Sequence, residues 1–248
     1  MLKFGLWDIV LIAVVAIQAG ILAYVSDPRK KSLILVFPFP FTFATISLGG
    51  RIDATNVLGL INLAIFTYGV WFAYLKLKLN IVFSIVLFAL LYCVLAMTVA
   101  RILPDREILF WISVLGVVIF AILLALLTEC PAENPYRTDL HPLIKIPIIV
   151  GVVSMLVILK KQLAGFMTVF PMVGVIAAYE ARFMLASVCR QMPVVMICLV
   201  SLMMTLKVVS SMTNFWVGLA AGWVVFLLVL KTTGNFLWRQ LCLKTLNR

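Results

Sequence analysis

Acidic side chains are scarce in this chain of 248 residues: nine Asp and Glu stand against 20 Lys and Arg, and histidine occurs once, at His141. Metal centres are built from clusters of His, Cys, Asp and Glu. The five cysteines, Cys93, Cys130, Cys189, Cys198 and Cys242, are odd in number and contain no CxxC pair. No metal site is expected from such a set. The sequence also lacks a Ser-His-Asp combination, a phosphate-cradling glycine loop, an H-E-x-x-H helix and paired carboxylates inside an apolar run. The expectation is a protein that is not an enzyme and carries no cofactor.

Long stretches without charge are abundant instead. Hydrophobic residues make up 65% of the chain and mean hydropathy is +1.21, against roughly 45–50% apolar in soluble domains. A soluble protein of this length cannot cover so much apolar surface, whereas a lipid surround lets helices be hydrophobic on every face. The net charge of +11 does not indicate nucleic acid, since no basic stripe with interleaved aromatics is present. The basic residues fall in short loops and in the tail, which suits cytoplasmic loops and anionic lipid headgroups. Membrane lipids are therefore the expected partners, and nucleic acid is not. The first apolar run, Ile9–Val25, is long for a signal segment and no small-x-small site follows it, so it reads as a retained helix.

A span needs about 20 apolar residues, range roughly 17–25. The sequence predicts an all-α polytopic membrane protein with about nine transmembrane helices: Phe4–Val25, Leu33–Leu48, Val57–Leu75, Ile81–Ala100, Ile108–Leu127, Leu143–Leu159, Leu163–Tyr179, Val194–Val209 and Phe215–Leu230. The second, eighth and ninth are short, and are expected either to be lengthened by snorkelling ends such as Lys207 and Lys231 or to be partly re-entrant. With the N-terminus outside, thirteen Lys and Arg fall on the inner side and seven on the outer. That bias predicts a multi-pass protein of the cell membrane with a cytoplasmic C-terminus.

The order helix, basic pair, proline-broken helix, helix, helix occurs twice. The first broken segment runs from Lys30-Lys31 through Phe37-Pro38-Phe39-Pro40, and the second from Lys160-Lys161 to Phe170-Pro171. Residues 1–103 and 141–232 are read as two four-helix repeats, 104–140 as a linking helix with a polar loop, and 233–248 as an amphipathic basic tail on the inner face. Four helices, one linking helix and four more force the second repeat to run upside down. Matched interrupted helices in inverted repeats are the best sequence pointer to a midplane binding site.

Candidate site residues follow from that placement. Pro40 and Pro171 remove backbone donors, and in lipid each freed carbonyl needs another partner. Phe39, Thr42 and Thr45 flank the first break, and Thr168 and Phe170 the second. The hydroxyls serve to satisfy the broken backbone or to line a cavity; two plain helix kinks packed with phenylalanine are the competing reading. Glu180 and Arg182 close the second broken helix, where a charge inside the bilayer points to function and one at its edge is simply interfacial. Asn62, Gln18 and Tyr68 lie within spans, and such residues more often bond between helices than touch a substrate. Asn62 is kept as a candidate nonetheless. Gly218-x-x-x-Gly222 permits close helix approach, within or between chains.

The stretch from Leu143-Ile-Lys-Ile-Pro through Lys160-Lys161 to Phe170-Pro171-Met-Val-Gly resembles the opening of the GlpM-like small membrane proteins. The resemblance implies a four-helix unit in which a basic turn precedes a small-residue, Phe-Pro helix. Two such units with a linker would be the fused form of an antiparallel dimer. The function expected is a transporter or flippase for a small, anionic-leaning solute or lipid-linked carrier. The alternative is a non-transporting subunit of a larger membrane complex, packed through Gly218/Gly222 and Asn62; a homo-oligomer is also compatible.

Overall fold

The computed structural model describes residues 5–25, 34–127, 151, 163–180, 182 and 185–246, and their side chains save at 23, 24 and 234–246. All regular structure among them is helical: α1 (Leu6–Tyr24), α2 (Phe39–Ser47), α3 (Ala54–Leu75), α4 (Ile81–Ile102), α5 (Glu107–Leu127), a 3-10 segment (Ala164–Val169), α6 (Met172–Glu180), α7 (Leu185–Met212) and α8 (Phe215–Leu246). Five stretches are long and apolar enough to cross a membrane: α3, α4, α5, α7 and the Phe215–Thr233 part of α8. Such helices are compatible with a membrane location. Leu6–Leu22, Ile34–Ser47 and Ala164–Glu180 are shorter apolar helical stretches. The expected span Leu143–Leu159, apart from Gly151, lies outside the described residues, as do both lysine pairs and the 128–139 loop.

α3 is the hub, packing against α4, α5, α6, α7 and the 3-10 segment. Its sequence explains this. Thr55, Gly59, Asn62, Phe66, Val70 and Ala73 recur at three- and four-residue steps and are all buried. Two glycines bring neighbours close: Gly59 faces Val169, and Gly69 faces the ring of Phe88. Asp53 caps the helix, accepting from Thr55 N at 2.8 Å, while Asn56 Oδ1 accepts from Asp53 N at 2.8 Å. α7 shares the interior, with 61% of its apolar window buried, whereas α4, α5 and α8 bury only 28%, 28% and 22% and turn apolar side chains outward. A lipid surround needs that outward distribution.

α3 and α7 run antiparallel. Tyr68 and Thr67, near the end of α3, meet Cys189 and Met192 near the start of α7, while Lys207 near the end of α7 reaches the Ile52 carbonyl just before α3 at 3.0 Å. The same ammonium lies 5.2 Å from the Phe110 ring centroid.

Of the three spans read as short, the eighth and ninth are the longest helices described, at 28 and 32 residues, while the second remains a shorter helical stretch, Ile34–Ser47. Pro193 sits inside α7 and cannot donate to Cys189 O. Tyr68 Oη donates to that carbonyl at 3.0 Å, so the helix continues through the proline. α7 and α8 pack through the glycine motif. A Cβ at Gly218 would lie 3.0 Å from Leu206 O and Ser210 N, and one at Gly222 3.2 Å from Leu202 O. Between α2 and α3 the chain turns at Gly49 and Gly50 (φ 87° and 79°), where Gly50 N donates to Thr45 O at 2.9 Å.

Candidate functional site

Both proline segments are interrupted where the prolines fall. A helical turn covers residues 34–36, the backbone leaves helical geometry at Phe37 and Pro38, and α2 begins at Phe39 with Pro40 in its first turn. Proline suits that position because the missing donor would be unpaired there anyway. In the other half, the 3-10 segment ends at Val169, Phe170 is extended (φ −55°, ψ 136°), and α6 starts directly after Pro171.

The carbonyls freed by Pro38 and Pro171 each have a new donor. Pro38 cannot bond Ile34 O, which instead accepts from Gln18 Nε2 at 2.8 Å; the same nitrogen reaches Phe37 O at 3.3 Å. Pro38 O accepts from Thr42 Oγ1 at 2.9 Å. Pro171 cannot bond Met167 O, which accepts from Phe170 N at 3.3 Å. The 3-10 segment is further pinned from α3 and α4. Gly165 N donates to Thr55 Oγ1 at 3.0 Å, and Thr55 Oγ1 donates on to Asp53 Oδ1 at 2.5 Å. Asn56 Nδ2 donates to Thr168 Oγ1 at 3.1 Å and Gly165 O at 3.3 Å, Thr168 Oγ1 donates to Gly165 O at 2.7 Å, and Tyr92 Oη donates to Phe166 O at 2.8 Å. An unpaired buried backbone group costs about as much as a lost hydrogen bond, and polar side chains of α3 and α4 converge on this one segment.

The phenylalanines before Pro40 and Pro171 each meet an aromatic ring on a distant helix. Phe170 packs edge-on against Tyr92 of α4 with centroids 4.9 Å apart, and Phe39 lies 5.3 Å from Trp223 of α8. Trp223 Nε1 also donates to Thr42 Oγ1 at 3.1 Å.

Between the two breaks lies a cavity of about 100 Å³. One wall is residues 35–38 with Pro40 and Phe41, and the facing wall is residues 168–174 with Ala178. Gln18 of α1, Phe66 and Thr67 of α3, and Met192 and Val195 of α7 close it. No charged side chain lines it among the described residues.

Of the residues expected from sequence, the cavity brings together Pro40, Thr168, Phe170 and Pro171. Phe39 is 40% exposed and stacks on Phe37. Thr42 belongs to the Pro38–Trp223 bonds, and Thr45 is fully buried with no partner for its hydroxyl among the described residues. Asn62 Nδ2 donates to Tyr92 O at 3.3 Å, holding α3 to α4. Glu180 is buried at the end of α6, and Arg182 lies over the Tyr179 ring at 5.3 Å. None of these six lines the cavity. Sequence reasoning missed Gln18 as a wall residue, and missed Met192 and Val195 altogether. A glutamine in mid-span was the available signal for the first; nothing local marks the other two. Among the described residues no group of His, Cys, Asp and Glu is placed to hold a metal.

In comparisons with known proteins, no family model, curated protein or solved structure matches this chain.

Proposed function

We propose that the protein is a membrane transporter that passes a small solute through the cavity between its two proline-broken segments. The observation that carries this reading is the cavity itself, whose facing walls are those two segments. Unwound backbone at membrane depth is tolerated where it is buried in protein or lines a cavity, and paired interrupted helices at matching places of two repeats mark transporter binding sites. The chain crosses the cell membrane nine times, N-terminus outside and C-terminus cytoplasmic, as two inverted four-helix repeats joined by α5. Two features support the inversion. The third helices of the repeats, α3 and α7, run antiparallel, as inversion requires. The aromatic contacts are also exchanged between repeats: Phe170 of the second lies on Tyr92 of the first, and Phe39 of the first on Trp223 of the second.

Transport proceeds by rocking of one repeat against the other about Pro40 and Pro171. A cavity of about 100 Å³ favours a small solute over a lipid-linked carrier. The excess of Lys and Arg points toward an anion, but among the described residues no Lys or Arg lines the cavity wall. The competing scaffold reading relied on Gly218, Gly222 and Asn62, and all three are engaged within the chain. The test is solute flux in reconstituted vesicles with Pro40→Ala and Pro171→Ala. Altered flux in both variants is expected, and unaltered flux in both would remove the site.

A further inference from the structure

We infer that the cavity takes a neutral, mainly apolar solute carrying one hydrogen-bond donor, and that Gln18 Oε1 is the atom that accepts from it. The inference rests on the proposal that this cavity is the solute site, and adds the class of solute.

Gln18 is 95% buried by its 5% exposure and stands in the cavity wall. Its Nε2 is committed to the Ile34 and Phe37 carbonyls. Two acceptors at that end fix the orientation of the amide, because turning it over would set Oε1 against two carbonyl oxygens. The consequence is chemical: the proline break forces the nitrogen outward to Ile34, and a buried acceptor remains. Oε1 has no donor among the described residues. A buried acceptor left unpaired costs free energy that a donor from a solute recovers. The two lining hydroxyls have already given their protons to the backbone, Thr67 Oγ1 to Leu63 O at 2.9 Å and Thr168 Oγ1 to Gly165 O at 2.7 Å.

The rest of the wall sets the remaining properties. Phe37, Phe41, Phe66, Phe170, Met192 and Val195 supply apolar contact. With no charged side chain among the described residues lining it, a full charge would be stripped of water without a countercharge there. An engineered cavity of about 150 Å³ holds benzene, so about 100 Å³ suits a solute of about six heavy atoms or fewer.

The test uses the full chain in nanodiscs, with binding followed by saturation-transfer NMR against empty nanodiscs. The probes are cyclopentanol and methylcyclopentane, matched in size and differing in the donor. The expected result is that Gln18→Leu weakens cyclopentanol about fivefold and does not weaken methylcyclopentane. If that variant fails to fold, Gln18→Lys keeps a donor on the two carbonyls without an acceptor, and the same selective loss is expected. The cavity-filling Val195→Phe should abolish binding of both probes. Equal behaviour of the two probes at Gln18, with both blocked by Val195→Phe, overturns the donor inference and leaves the solute site standing. Binding unmoved by Val195→Phe, or no binding of either probe above lipid, overturns both.

Discussion

If Tyr68 carries α7 past Pro193, its hydroxyl should matter only while the proline is there. Tyr68 Oη lies 3.0 Å from the Cys189 carbonyl, which Pro193 leaves without its helical donor. Tyr68→Phe removes the new donor. Interhelical side-chain bonds in membrane proteins average about 0.6 kcal/mol and reach about 1.7; a bond to a proline-freed carbonyl belongs in the upper part of that range. A loss of about 1 kcal/mol corresponds to about a fivefold shift in the unfolding equilibrium. In a Pro193→Ala background, residue 193 regains an N–H four residues after Cys189, and the helix supplies the donor itself. Tyr68→Phe should then cost about 0.3 kcal/mol or less, since a carbonyl oxygen already bonded gains little from a second partner. The double-mutant cycle, read by SDS titration in mixed micelles, should give a coupling of about 0.7–1 kcal/mol. An identical cost of Tyr68→Phe in both backgrounds would refute the reasoning.

Gly165→Ala places a Cβ against Thr55 Oγ1 and 2.6 Å from Asn56 Oδ1, breaking the bonds that hold the second break; a loss of about 2 kcal/mol or more is expected, visible as a lower thermal midpoint. Its neighbour Ala164 has φ 47°, so Ala164→Gly relieves about 1 kcal/mol of left-handed strain, partly offset by unfolded-state entropy, and the midpoint should not fall. Gly218→Leu drives a side chain into the α7 backbone at Leu206 and Ser210; it should destabilise the chain while leaving its oligomeric state, measured by light scattering, unchanged. Asp105→Asn removes an ion pair with Arg51 at 3.3 Å whose members are 69% and 85% exposed, and should shift stability by less than about 0.5 kcal/mol.

Hydropathy made the middle of the fold legible. The expected Ile81–Ala100 and Ile108–Leu127 lie within one or two residues of α4 and α5, and the proline breaks fall where the prolines are. It failed at α7, expected from Val194 and found from Leu185, because Arg190, Gln191 and Pro193 lower the local signal. What keeps that turn helical is a tyrosine more than a hundred residues earlier. The bond of Asn56 to Thr168 spans 112 residues and has no periodicity to betray it. Residues such as Gln18, Asn62 and Tyr68 more often bond between helices than touch a substrate; in the structure they bond Ile34, Tyr92 and Cys189, Asn62 being also a site candidate from sequence. That Gln18 also keeps a spare acceptor in a cavity wall depends on which atom the prolines engage, a matter of geometry rather than residue type.

Alternating exposure of the cavity can be read with a single cysteine. In a background lacking Cys93, Cys130, Cys189, Cys198 and Cys242, Val195→Cys places a thiol in the cavity wall. Lys78→Cys and Thr213→Cys place thiols on exposed turns at opposite ends of the antiparallel pair α3 and α7. In sealed vesicles, an impermeant maleimide should label the two turn positions each from one side only, and from opposite sides, while the Val195 position reacts from both. A Val195 thiol reached from neither side, with both turns labelling as expected, would contradict transport through this cavity.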